Sequence, residues 1–147
     1  MATKTSTTFS LGYRIEREIQ APAARIWALL TNAAKFPSWN STVTSIEGEI
    51  ALGNKLGIKV PLDPKRTFHP KVIELIENER TRWADGFAPM FRGVRTFTLA
   101  PSGQGATKFV MEERFSGLML PMIKGSLPDF GPAFDRYAED LARAAEK

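Results

Sequence analysis

Two charged residues stand out because of the company they keep. In Gly93 to Ala100, the side chains of Arg95, Phe97 and Leu99 share one face of an extended chain. In Ala106 to Phe115, Thr107, Phe109, Met111, Glu113 and Phe115 share a face, with Lys108, Val110, Glu112 and Arg114 opposite. Each of these faces is the more apolar one, so both are predicted to turn inward. Arg95 and Glu113 then aim at apolar surroundings, and a hairpin joining the two segments sets them opposite or diagonal, within side-chain reach. A lone buried charge would cost several kcal/mol, so the two should pair. Such a pair could orient a polar group of a ligand. Arg95 would donate to a carbonyl or phenolate, and Glu113 would accept a hydroxyl proton or act as a general base if desolvation raises its pKa. The same pair also reads as a structural ion pair at a rim, and a slip of one residue would reverse every face.

Two further groups could do chemistry. His69 is the one histidine, and imidazole titrates near neutrality. It would share a strand face with Thr67, Lys71, Ile73 and Leu75, but Pro70 interrupts that strand, and a lone histidine with no visible partner is more often a surface or edge residue. Asp85 shares the face of Trp83 and could anchor a polar group, although Gly86 after it also suits a turn. Cysteine is absent, which excludes disulfides, thiolate catalysis and thiolate-bound zinc. With a single histidine as well, neither a metal site nor a cofactor is expected. The chain has no phosphate loop of the Gly-x-x-x-x-Gly-Lys kind, no dinucleotide fingerprint after its first strand, and no Gly-x-Ser-x-Gly elbow. ATP hydrolysis, dinucleotide-dependent dehydrogenation and α/β-hydrolase chemistry are thereby disfavoured.

The elements that must position these residues are legible as changes of period. Leu11 to Ile19 alternates, with Tyr13, Ile15 and Ile19 on one side and Arg14, Glu16 and Glu18 on the other, as a half-buried strand does. After Pro22, Ile26, Leu29, Leu30 and Ala33 recur at helical spacing until Phe36-Pro37-Ser38-Trp39-Asn40 breaks the pattern. Short strands are predicted over Val43 to Ile50 and Lys55 to Val60. Hairpins follow, Val72 to Ile76 with Thr81 to Phe87, then Gly93 to Ala100 with Ala106 to Phe115. Phe130, Phe134, Tyr137 and Leu141 restore helical spacing at the end, with Pro128 and Pro132 kinking or restarting the helix near its beginning. The expected class is α+β: a curved antiparallel sheet of about six to seven strands around a long C-terminal helix, with small helices after the first strand.

At 147 residues, 43% apolar and 24% charged, the chain has the make-up of one globular domain, expected over 11–147. Met1 to Ser10 reads as a loose polar tail. There are 20 Lys and Arg against 16 Asp and Glu, but the signs alternate as in Arg14 to Glu18, so a nucleic-acid partner is not expected. No stretch is long and apolar enough to insert in a membrane, and a cytoplasmic monomer or homodimer is the expectation.

Large apolar side chains are abundant. Trp39, Trp83, Phe97, Phe109, Met111, Phe115, Phe130, Phe134 and Tyr137 could be packed core or the wall of a cavity. Two loop-like segments, Phe87-Ala88-Pro89-Met90-Phe91 and Leu118-Met119-Leu120-Pro121-Met122, carry more apolar bulk than loops usually do. They read as a lid and a portal, with Phe87, Met90, Phe91, Met119 and Met122 facing a ligand.

Ala21-Pro22-Ala23-Ala24-Arg25-Ile26-Trp27-Ala28-Leu29-Leu30-Thr31 followed by Phe36-Pro37-Ser38-Trp39-Asn40, then Arg95 to Leu99, Glu113 to Gly117 and the Phe134-to-Leu141 helix, resemble the START-like, or Bet v 1-like, superfamily, most of all its polyketide cyclase/dehydrase and lipid-transport group. The resemblance runs over nearly the whole chain from Leu11. It implies a helix-grip fold with a hydrophobic cavity under the C-terminal helix, and no fixed catalytic set that maps onto these residues. Three functions stay open: a carrier of a lipid, isoprenoid or aromatic polyketide; a cofactor-free cyclase or dehydratase; and a protein-interaction module working through its surface.

Overall fold

A computed structural model describes residues 1–147. In chain order the elements are β1 (Thr3–Thr7), β2 (Ser10–Ile19), α1 (Ala23–Leu30), α2 (Phe36–Trp39), β3 (Ser45–Glu47), β4 (Gly57–Lys59), β5 (Thr67–Phe68), β6 (Lys71–Ile76), β7 (Arg80–Phe87), β8 (Phe91–Pro101), β9 (Thr107–Ser116), α3 (Leu120–Ile123) and α4 (Gly131–Ala145). Six strands make one antiparallel sheet in the order β1-β2-β9-β8-β7-β6, and β3, β4 and β5 make a small second sheet. The curved sheet with a C-terminal helix is the α+β arrangement expected, with α1 and α2 as the small helices after the long first strand. None of the helices is long and apolar enough to cross a membrane.

The helix starts follow from the sequence. Pro22 is the extended N-cap of α1, and Pro132 sits in the first turn of α4, where a missing N–H breaks no helical bond. α4 turns Phe134, Tyr137, Ala138, Leu141, Ala142 and Ala145 inward. They cover the concave face of the sheet, which offers Leu11, Tyr13, Ile15 and Ile19 from β2, Phe97 and Leu99 from β8, and Phe109 and Met111 from β9. Asp140 ties the same helix to the loop after α2, accepting from the backbone N–H of Ser41 at 2.8 Å and from its hydroxyl at 2.7 Å.

Packing along α4 is uneven. Toward its C-terminal end the sheet is filled, and Phe97, Phe109, Met111 and Leu141 have no exposed surface. Phe97, Phe109 and Met111 are therefore core and not cavity wall: period two tells which face a residue is on, not how deep along the sheet it lies. Toward the start of α4 a cavity borders the sheet, lined there by Gly93, Arg95, Glu113 and Phe115.

The N-terminal segment departs from expectation. Thr3–Thr7 is not a loose tail but the edge strand of the main sheet, with Thr3 opposite Arg14 and Thr7 opposite Ser10. All five of its residues are exposed, so it carries none of the apolar alternation by which a strand is recognised in sequence. Its polar Thr and Ser side chains and Lys4 suit an edge that should not recruit another strand.

The packing gradient gives a stability prediction. Phe109→Ala should lower the unfolding free energy by about 3–5 kcal/mol, the usual cost of emptying an aromatic site in a packed core. Met122→Ala, at a side chain 79% exposed, should stay within about 0.5 kcal/mol of the parent. Urea unfolding of the two variants beside the parent protein decides it.

Candidate functional site

β8 and β9 pair in the register that sets Arg95 directly opposite Glu113. Arg95 Nε donates to Glu113 Oε1 at 2.8 Å, and the two side chains keep only 23% and 12% of their surface exposed. The guanidinium also lies over the ring of Phe134, 5.1 Å from its centroid, so α4 contributes a π face to the cation. Glu113 Oε2 takes no hydrogen bond from the chain. Desolvation pushes the Glu113 carboxyl above its ordinary value; the Arg95 charge and hydrogen bond oppose this in part, and the negative charge of Asp85 adds to it.

The ion pair borders a cavity of about 250 Å³. β8 and β9 supply Phe91, Gly93, Arg95, Glu113 and Phe115; β7 supplies Trp83 and Asp85; the approach to α4 supplies Leu127, Pro128 and Phe130. The remaining wall comes from Ile58, Val60 and the run Arg66 to Pro70. Phe115 stacks between Phe91 at 5.9 Å and Phe130 at 5.6 Å, making a continuous aromatic side. Gly93 leaves space for that ring, since a Cβ there would lie 3.2 Å from two of its carbons. A smaller chamber of about 40 Å³ shares Ile58, Val60, Trp83 and Arg95 with the cavity and continues beneath α4 to Phe36, Phe134 and Tyr137.

The sequence-predicted site residues fall into three groups. Arg95, Glu113, Trp83, Asp85, Phe91, Phe115, Phe130 and His69 line the cavity, and Phe134 and Tyr137 line the smaller chamber. His69 is an exposed residue of the wall between β5 and β6, and no side chain of the protein bonds its imidazole. Asp85 serves its turn as well, accepting from the N–H of Gly86 at 2.8 Å. Trp39 belongs to the packing behind the chamber, 4.9 Å from Phe36 and 5.9 Å from Tyr137 between ring centroids.

The segments read as lid and portal are placed differently from that reading. Phe87, Met90, Met119 and Met122 do not line the cavity and are 71%, 37%, 37% and 79% exposed. The two segments instead bind one another, Leu118 N–H donating to Pro89 O and Met119 N–H to Met90 O, both at 2.9 Å. Apolar loop residues can cluster outward as readily as inward, and composition does not distinguish the two. What sequence reasoning missed is the wall from Ile58 to Phe68 and the pair Leu127-Pro128. Its strands are two or three residues long, too short for a periodic signal.

A curved sheet gripping a C-terminal helix, with a partly apolar cavity between them, is the arrangement of START-like and Bet v 1-like proteins. Residues 11–146 match the family described as polyketide cyclase / dehydrase and lipid transport, and the chain belongs to that family. No curated protein matches it. Among solved structures it is similar to a protein from Mesorhizobium loti, 21% identical over 90% of this chain and 95% of that one, with a TM-score of 0.69. A START superfamily protein from Mycobacterium smegmatis is 18% identical over 92% and 97%, with a TM-score of 0.67. A truncated norcoclaurine synthase from Thalictrum flavum is 15% identical over 95% of each chain, with a TM-score of 0.69. At these identities the likeness is one of fold.

The buried carboxyl yields a pH prediction. A carboxyl whose pKa is higher in the folded than in the unfolded chain binds more protons when folded, so its contribution to stability declines as pH rises from its unfolded value to its folded one. The stability of the parent relative to Glu113→Gln should therefore fall as pH increases above the usual glutamate range and then level off. Urea unfolding of both proteins between pH 4 and pH 8 measures it; a difference that rises with pH would mean that Arg95 outweighs desolvation.

Proposed function

We propose that this protein binds an apolar small molecule in the cavity between the sheet and the start of α4, with Arg95 and Glu113 orienting a polar group of that molecule. The observation that carries the reading is a buried ion pair set in an aromatic wall beside about 250 Å³ of space. Breaking a buried pair by removing one partner is costly, yet apolar residues in place of both are often tolerated, so stability alone gives little reason to keep the pair there. A ligand with one polar end gives a reason. The family description, which joins cyclases and dehydrases to lipid transport, supports a lipid, isoprenoid or aromatic polyketide-like ligand. The protein would act on it as a carrier or as a cofactor-independent cyclase or dehydratase. In the catalytic version the cavity folds a flexible chain into a reactive shape, Arg95 stabilises oxygen charge and Glu113 moves a proton.

Native mass spectrometry of the purified protein, with solvent extraction of what accompanies it, tests the binding. A co-purified apolar molecule is the expected result. Arg95→Ala and Glu113→Ala should each weaken its retention in the folded fraction about tenfold or more, the worth of a hydrogen bond to a charged group, alongside the loss of stability that breaking the pair brings. Unfolding of both variants with unchanged affinity in the folded fraction would make the pair structural and remove this assignment.

A surface role as a protein-interaction module is the second reading, favoured by the exposure of Phe87, Met90, Leu118, Met119 and Met122 on two loops that bond to each other. It predicts that Phe87→Lys and Met122→Lys abolish a partner interaction and leave small-molecule retention intact. The cavity reading predicts no effect of either on the co-purified mass.

A further inference from the structure

Three buried polar atoms have no hydrogen-bond partner, Trp39 Nε1, Asn40 Nδ2 and the Tyr137 hydroxyl, and of these residues only Tyr137 lines a chamber. Tyr137 is 2% exposed. Buried hydroxyls are nearly always bonded, because a missing bond forfeits the solvation given up on burial. The ring cannot turn away to find a partner. It packs edge-on against Trp39 at 5.9 Å and 87° and against Phe36 at 6.4 Å, and lies tilted on Phe97 at 5.8 Å. It lines the smaller chamber of about 40 Å³, which reaches the surface at Leu62 and whose other walls are apolar except at Thr42 and Arg95. The hydroxyl of Thr42 already donates to Asn40 Oδ1 at 2.7 Å. Arg95 spends only its Nε on Glu113, and its two terminal nitrogens bond no side chain or backbone oxygen of the protein.

We infer that the Tyr137 hydroxyl and the terminal nitrogens of Arg95 form an oxygen niche in the smaller chamber beside the cavity, which takes the neutral carbonyl oxygen of an apolar ligand's leading end. This rests on the cavity being a ligand site and specifies what the ligand carries. Space sets the first limit. A single water needs about 10–15 Å³ of such volume, so the chamber holds a group of two or three heavy atoms and not a second ring. Hydrogen-bond polarity sets the second. The niche offers donors from both residues, and burial keeps the phenol protonated by pushing its pKa well up from the ordinary value, against the opposing charge of Arg95. Charge sets the third. Arg95 is already neutralised by Glu113, so a carboxylate would enter with no free cation to meet it and with the Glu113 charge close by. A ketone, quinone or lactone carbonyl meets all three limits. The body of the ligand then lies along the Phe91, Phe115 and Phe130 side of the larger cavity.

Tyr137 is thus a specificity-determining residue, and Tyr137→Phe isolates its hydroxyl because the ring packing stays. The probes are acetylnaphthalene, the hydrocarbon isopropylnaphthalene of the same shape, and naphthoate, each titrated by calorimetry into the full-length protein and into Tyr137→Phe. The parent should bind the ketone about 3- to 10-fold more tightly than the hydrocarbon, the range a neutral hydrogen bond supplies, and should bind naphthoate most weakly. Tyr137→Phe should reduce the ketone's advantage to the part that Arg95 supplies, without weakening the hydrocarbon. The infrared carbonyl band of the bound ketone should move to lower frequency in the parent and return part of the way in the variant, a signature that a structural role of the hydroxyl would not produce. Equal binding of ketone and hydrocarbon by both proteins would overturn the niche and leave the cavity a ligand site. Failure of all three probes to bind, with no co-purified molecule, would overturn both.

Discussion

The packing of Tyr137 on Phe97 governs the rest of the molecule. An antiparallel sheet with one apolar face must be covered, and here a single helix covers it. A straight helix can lie flush on a curved sheet over only part of its length. Below Tyr137, the small side chains of Ala138, Ala142 and Ala145 let α4 sit close to β2 and the filled end of the sheet. Above it, Phe134 and Phe130 pack on Tyr13 of β2, and the cavity opens beside them over β8 and β9. Tyr137, wedged among Phe36, Trp39 and Phe97, marks the line where solid core ends and open space begins. Fold and site are for that reason one object: the feature that anchors the helix also sets the depth of the cavity.

Electrostatics sharpen the same boundary. The row just beyond Phe97 and Met111 is Arg95 and Glu113, so the first residues without a packed partner are also the first with a charge. At this half-buried place among aromatic rings either charge alone would be costly; together, with the Phe134 ring over the guanidinium, they are sustained. The cost of desolvation is still visible in the raised Glu113 pKa. Such a pair is a poor device for stability and a good one for holding a polar group at a fixed point in a greasy space.

Much of this was legible in the sequence because it depends on period and on short turns. Alternation put Arg95 and Glu113 on inward faces and the turn residues from Pro101 to Gly105 set them opposite or diagonal; the register of β8 and β9 makes them direct partners. The spacing of Phe130, Phe134, Tyr137 and Leu141 identified the covering face of α4. Depth was not legible: Phe97 and Arg95 look alike to a rule that counts in twos, yet one is sealed and the other borders the cavity. Direction of loop side chains was not legible either, so Phe87 and Met122 were expected inside. The edge strand Thr3–Thr7 escaped because a strand exposed on both faces has no pattern to show. An unsatisfied hydroxyl escaped because it is a property of surroundings and not of Tyr137 itself.

The clasp between the β7–β8 turn and the segment after β9 has a kinetic consequence. Gly117, at φ 134°, lies so close to the Met90 carbonyl that a Cβ would collide with it, and the backbone bonds at Leu118 and Met119 complete the seam. Neither segment can swing out alone. Opening at this end means breaking the seam as a unit, an event of cooperative local unfolding and not of nanosecond loop flicker. The seam therefore keeps that end of the sheet closed as one slow-opening unit.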